Sequence, residues 1–179
     1  MKISSHKDAS VKKRAALLIL AAGLGKRMKS PLPKVLHEVC GEPMLVALLR
    51  SGAVAMPDAD VGIIVGHGRE QVETVVRAAQ IKIPELADLR LEFLVQAEQR
   101  GTGHAVKEAM ATAWGKSRTA EKTPILVLPG DSPQLPPSLI EVMSAPLEKG
   151  VSVRLLSYRL PNPAGYGRIV RTGGKTTRS

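Results

Sequence analysis

The chain of 179 residues has a single cysteine, Cys40, and few aromatic side chains: Phe93, Trp114, Tyr158 and Tyr166. One cysteine excludes an internal disulfide framework and any zinc site built from several thiolates. So few rings argue against a base-stacking surface, which needs several of them exposed, and so against a nucleic-acid partner. No apolar run approaches the length of a membrane-spanning helix, so a membrane partner is not expected either. Internal repeats and low-complexity tracts are absent. A G-x-S-x-G elbow is absent too, which disfavours a serine hydrolase. His6, His37, His67 and His104 form no metal-ligand cluster and read as structural or surface residues. Cys40 reads as a small buried apolar residue.

What the chain does have is positive charge, unevenly spread. Its net charge is +10. Residues 1–34 hold nine basic side chains and one acid, Asp8, whereas residues 150–179 hold six basic side chains and no acid. The stretch between them carries eleven basic and fifteen acidic side chains and is net negative. A uniformly basic nucleic-acid binder would not be divided in this way. Basic ends on an acidic middle fit a site for a small polyanion, or simple basic tails. Residues 1–13 are polar and charged and read as a disordered basic extension. Lys12-Lys13-Arg14 followed by an apolar run has the outline of a signal peptide. The run enters a basic Gly-rich loop rather than a cleavage site, so a buried first strand is the better reading. A cytoplasmic location follows from it and agrees with one reduced thiol.

From residue 14 onward the apolar pattern alternates between two periods. AALLIL (15–20), VGIIV (61–65), LEFLV (91–95) and PILVL (124–128) are short apolar runs of the kind buried on both faces of a parallel sheet. Between and after them, 42–56, 69–80, 103–114 and 136–145 read as helices. Val72, Val75, Val76 and Ala79 form the i, i+3, i+4, i+7 stripe of a surface helix. VSVRLLSY (151–158) and GRIVR (167–171) read as further strands, with a turn at Gly173-Gly174. This alternation means an α/β domain over 14–179, with a mostly parallel sheet and helices on both faces. Because the chain stops just after the Gly-Gly turn, the domain is expected to be truncated at its C-terminal end.

Open α/β sheets bind ligands beyond the carboxyl ends of their strands. After the first strand comes Ala21-Ala22-Gly23-Leu24-Gly25-Lys26-Arg27-Met28. Small residues there let backbone N–H groups approach a ligand, and Lys26, Arg27, Lys29 and Lys34 add positive charge suited to a triphosphate. The loop is neither a dinucleotide fingerprint, since position 28 is Met, nor a Walker A loop. A plain Gly-rich turn with solvated lysines is equally compatible with composition. After the fourth strand comes Pro129-Gly130-Asp131, where Asp131 is either a turn residue or a ligand for a hard cation bridging phosphates. Gln96 and Gln99 follow the third strand, and an amide matches the donor–acceptor edge of a nucleobase. Thr102 could cap the next helix. Gly167, in Tyr166-Gly167-Arg168, could let the backbone approach a sugar ring.

Four blocks, LILAAGLGKRMKSPLPKVLHEVCGEPM (18–44), FLVQAEQRGTGHAV (93–106), LPGDSPQL (128–135) and GYGRIVR (165–171), together resemble the sugar nucleotidyltransferases. Within these they are most similar to the N-terminal pyrophosphorylase domain of the bacterial bifunctional N-acetylglucosamine-1-phosphate uridyltransferases / glucosamine-1-phosphate acetyltransferases, in the MobA-like NTP transferase superfamily. The resemblance implies a Rossmann-like nucleotide-diphospho-sugar transferase fold. It also implies joining of UTP and N-acetylglucosamine 1-phosphate with release of pyrophosphate, a step towards cell-wall precursors. By motif match, the backbone of Leu20, Ala21, Ala22 and Gly23 would hold the nucleotide, and Gln96, Gly101 and Thr102 the uridine side. Arg27 and Lys34 would clamp phosphates. Gly130 would contact the nucleotide, Asp131 would be a Mg²⁺ ligand, and Gly167 would meet the sugar.

The chain departs from the family at Pro129, where these enzymes usually carry Tyr, so a ring contact is lost. It also stops before the family's later sugar and metal residues, and no hexapeptide repeat of a β-helix acetyltransferase domain is present. Alternatives stay open at this stage: transfer to another sugar phosphate or cofactor, or a nucleotide-binding fragment with impaired catalysis. The oligomeric state has no sequence signal.

Overall fold

The first strand sets the architecture. Ala16–Leu20 (β1) is apolar at every position, which suits a strand covered on both faces. In the computed structural model it lies inside a four-stranded parallel sheet. The structure describes residues 15–23, 25, 28–57, 59–162, 164, 165, 167, 169–172 and 175–178. The extension expected over 1–13 lies outside them.

The elements follow in chain order. A small antiparallel hairpin, Glu38–Val39 (β2) with Glu42–Pro43 (β3), precedes helix Met44–Ala55 (α1). Then come Asp60–Val65 (β4), Arg69–Lys82 (α2), Arg90–Val95 (β5), Thr102–Ala111 (α3), Ala113–Ala120 (α4), Ile125–Pro129 (β6) and Pro137–Ser144 (α5). The order across the large sheet is β5-β4-β1-β6. The chain steps outward from β1 to β4 to β5, then returns past β1 to lay β6 on its other side. Loops leaving β1 and β6 therefore diverge, and a crevice opens between them at the carboxyl edge. Leu20 of β1 stands opposite Pro129 of β6 and Ile64 of β4 at that edge.

Side chains of β1 alternate between two apolar layers, as the strand period requires. Leu17 and Ile19 pack with Leu45, Leu48 and Leu49 of α1, Val72 and Val76 of α2, and Ile140 of α5. Ala16 and Leu18 face the opposite layer, with Ala105 and Ala109 of α3 and Trp114 of α4. The expected α/β sheet covered on both faces is thus present.

Four local readings need correction. The helix expected over 103–114 is two helices, broken at Thr112, whose extended backbone (ψ 171°) ends α3. Its hydroxyl donates to the Ala109 carbonyl at 2.7 Å and accepts from Gly115 N–H at 3.3 Å, so one side chain closes α3 and starts α4. Thr102 does not cap α3 but is its first helical residue. The cap position is Gly101, at φ +93°, where a side chain would be strained. Cys40 is exposed, not buried. It occupies the β2–β3 turn at φ +55°, followed by Gly41 at φ +79°, the paired left-handed geometry that tight hairpins prefer.

The segment 151–158 forms no strand. Val151, Val153, Leu155 and Leu156 are exposed beside the free edge of β6. Its tether is Arg154, whose guanidinium donates to the Val142, Met143, Ala145 and Pro146 carbonyls at 2.8–3.3 Å, around the C-terminal end of α5. A cation is favoured there because those carbonyls are unpaired and carry the negative end of the helix dipole. Alternating apolar residues need a paired ladder to become a strand, and among the described residues these have none. Farther on, Ile169–Thr172 (β7) pairs antiparallel with Lys175–Arg178 (β8). The expected turn at Gly173-Gly174 lies outside the described residues.

The junction of α3 and α4 yields a stability prediction. A Cβ on Gly115 would lie 2.3 Å from the Met110 Cα and 2.5 Å from the Ala109 carbonyl oxygen. Backbone cannot yield as a flexible side chain can, so Gly115→Ala should cost about 1–3 kcal/mol. A urea midpoint equal to that of the parent would contradict this packing.

Candidate functional site

The crevice at the carboxyl edge is held open by backbone bonds. Ala21 N–H donates to the Ile64 carbonyl at 2.8 Å, and Gly130 N–H donates to the Leu20 carbonyl at 2.9 Å. A Cβ on Gly130 would lie 2.8 Å from that same Leu20 oxygen, so position 130 must be bare for β6 to end there. Asp131 follows directly, at the mouth of the crevice.

Lys34 reaches the same place by another route. Pro33 packs so closely on the β4–α2 turn that a Cβ at Gly68 would lie 2.4 Å from its ring. Val35 and Leu36 are buried in the core beyond it. Lys34 is thereby gripped from both sides in sequence. Gly25, at φ +56°, closes over its stem: a Cβ there would meet Lys34 Cβ at 3.0 Å. The Lys34 ammonium donates to Asp131 Oδ2, a residue 97 positions away in the chain.

The cavity so framed has a volume of about 750 Å³. Leu20, Ala22, Gly23, Lys34, Gln96, Gly101, Thr102 and Asp131 of the sequence candidates line it. Ala21 and Gly130 lie behind this lining, buried in the sheet edge and engaged in the two backbone bonds above. Gly167 is exposed and is not part of the wall. Arg27 lies outside the described residues.

Gln96 is 6% exposed, and its Nε2 meets no hydrogen-bond partner among the described residues. A buried amide left unpaired costs about 1–3 kcal/mol, so a lining amide of this kind is poised for a ligand carbonyl. The opposite chemistry sits at the other end, where one cation and one carboxylate face each other. Among the described residues no group of three or more His, Cys, Asp and Glu gathers to hold a metal ion. Magnesium, however, is commonly held by one or two carboxylates together with substrate phosphates. A lone Asp131 at the crevice mouth fits an ion that arrives with a polyphosphate.

Residues 17–169 match the family described as the MobA-like NTP transferase domain. The chain belongs to this family. Similar proteins include the bifunctional protein GlmU of Ruegeria pomeroyi, 43% identical over 163 residues, covering 91% of this chain and 33% of that protein. GlmU of Thermobifida fusca is 42% identical over 164 residues (90% and 32%), and GlmU of Burkholderia ambifaria is 41% identical over 155 residues (87% and 30%). The chain thus spans about a third of the length of the curated relatives it matches. The order β5-β4-β1-β6 of its parallel sheet, covered on both faces, is Rossmann-like. Among the described residues no helix is long and apolar enough to cross a membrane.

Several members of the wall of this NTP transferase domain had no sequence signal. Met28, Val35, Ile64 and Ala105 give it an apolar lining, and any apolar position could have done so. Gln99 did stand out as a polar loop residue. Its contact with the first loop, described below, depends on a bond 77 residues away in sequence.

The energetics of the Lys34–Asp131 pair can be tested. Both side chains are about one-third exposed, at 35% and 34%. Water screens such a pair, so a double-mutant cycle with Lys34→Met and Asp131→Asn should give a coupling of about 0.2–1 kcal/mol in stability. A coupling above about 3 kcal/mol would make the pair a structural brace instead.

Proposed function

We propose that this NTP transferase domain carries out the uridylyl-transfer half of UDP-N-acetylglucosamine synthesis, joining UTP to N-acetylglucosamine 1-phosphate. The observation that carries the reading is the single crevice shared by a bare backbone loop, a buried unpaired amide and the Lys34–Asp131 pair. Identity of about 40% to GlmU proteins over nearly the whole chain supports the sugar nucleotide class.

In the proposed reaction an oxygen of the sugar phosphate attacks the α-phosphorus of UTP in line. The new P–O bond forms as the bond from the α-phosphorus to the β-phosphate oxygen breaks, and pyrophosphate departs. No covalent enzyme intermediate is needed. The work of the protein is orientation and charge stabilisation. Leu20 to Gly23 would lie along the nucleotide, with Gly130 beneath. Gln96 would meet the uracil edge, with Gly101 and Thr102 on the same side. Lys34 would leave Asp131 to meet phosphate charge, and Arg27 would grip the departing pyrophosphate. Asp131 would then hold Mg²⁺ carried in with the triphosphate, which when bound neutralises phosphate charge. Gly167 would approach the sugar.

Two outcomes follow. Asp131→Asn should lower turnover at least about a hundredfold, the scale of losing one charge-stabilising group, while shifting the unfolding midpoint little. Pyrophosphate release by the variant equal to that of the parent would remove Asp131 from the chemistry. With the four nucleoside triphosphates compared side by side, UTP should give the highest kcat/KM. A preference for CTP or GTP would reassign the base that Gln96 meets and move the reaction to another sugar or cofactor.

A further inference from the structure

Gln99 lies three residues beyond Gln96 but is used differently. Its Nε2 donates to the carbonyl of Ala22, crossing from the loop after β5 to the loop after β1. Between them, at the end of β4, is Gly66. A Cβ on Gly66 would lie 3.1 Å from the Ala22 Cβ, 3.4 Å from the Ala22 oxygen and 3.4 Å from Gln99 Nε2. The missing side chain at 66 leaves a notch beside this bond, where a Cβ would crowd the Ala22 Cβ and touch both ends of the Gln99–Ala22 contact. Ala22, Gly23 and Gln99 all line the cavity.

The consequence follows from peptide planarity. In a trans peptide the carbonyl of one residue and the N–H of the next point in opposite directions within one rigid plane. Ala21 is the last residue of the first loop tied to the sheet, through its bond to Ile64. Beyond it, glycine at position 23 leaves the backbone free to rotate, and a Cβ at Gly23 would meet nothing within 4 Å. A hydrogen bond on the Ala22 carbonyl removes that freedom and sets the direction of the Gly23 N–H.

We propose that Gln99 is a positioning residue: by holding the Ala22 carbonyl beside the Gly66 notch, it orients the Gly23 N–H to receive a nucleoside triphosphate. The proposal rests on the nucleotide reading above. Gln99 itself is largely exposed, so its bond competes with water until a bound nucleotide covers it.

The test uses the full 179-residue chain and UTP with magnesium, measured by calorimetry and by KM and kcat for pyrophosphate release. Gln99→Leu keeps an apolar stem one atom shorter and loses the donor. Gly66→Ala leaves Gln99 in place and fills the notch. Each should weaken UTP binding about three- to tenfold, the scale of one hydrogen bond, and raise KM more than it lowers kcat. Thermal midpoints should stay near that of the parent. The double variant should bind no more weakly than the worse single variant, because both act on one bond. Affinity of Gln99→Leu within twofold of the parent would overturn the proposal, as would effects that multiply in the double variant. A parent that binds none of the four nucleoside triphosphates would overturn the nucleotide reading itself and the proposal with it.

Discussion

Two backbone hydrogen bonds at the carboxyl edge of β1, from Ala21 to Ile64 and from Gly130 to Leu20, tie three strands together where the chain leaves the sheet. β1 can serve as the anchor because it is apolar on both faces and cannot turn without exposing one of them. Leu17, Leu18 and Ile19 are all at most 1% exposed. Two buried layers therefore hold the strand that presents the Ala21-Ala22-Gly23 loop. Without that anchor, small residues in a loop would be a flexible turn and no more. With it, they are a wall that starts from a fixed point at Ala21.

The side chains at the crevice contrast with that anchor. The core residues of α1 and β1 give up water contact completely, and burial of this kind is worth roughly 1.5–3 kcal/mol for each large apolar side chain. Lys34 and Asp131 keep about a third of their exposure, and a pair in that setting adds little to stability. Their placement depends on neighbours that are themselves core or close-packed: Val35 and Leu36 beyond Lys34, Gly130 before Asp131. Stability and site geometry thus come from the same elements but from different atoms. Charge at the crevice can change partner without loosening the fold, which the proposed exchange of an internal ion pair for phosphate would require.

How far the sequence could be read depended on whether the determining interaction was local. The strands and α2 were legible because period and burial coincide, as in the Val72, Val76 and Ala79 stripe, all three buried. The break at Thr112 was not, since a threonine inside an apolar pattern looks the same whether it faces solvent or closes a helix. The apolar alternation of 151–158 signals a strand, but a strand also needs a neighbour's backbone, and among the described residues that segment has none. Cys40 departs from the usual burial of a free cysteine because turn geometry sets its place. Convergence of the Ala21, Gln96 and Asp131 segments at one edge was legible from strand direction alone. The Lys34–Asp131 contact was not, because it depends on how Pro33 and Gly25 pack around the lysine.

Gln96 and Gln99 show where that limit lies. They share one loop and one functional group, and composition treats them alike. Gln96 sits at the last rung of the ladder, with its N–H on the Val65 carbonyl at 2.8 Å, so its side chain is drawn into the buried floor beside β4. Three residues later the chain has cleared the sheet, and Gln99 meets the Ala22 carbonyl beside Gly66, where a Cβ would crowd the Ala22 side chain. One amide has a buried donor with no partner among the described residues, while the other gives its donor to the Ala22 carbonyl. The difference comes from distance to the end of β5 and from a glycine on a neighbouring strand. Motif likeness can therefore mark both positions, but the division of labour between them is a property of the sheet edge.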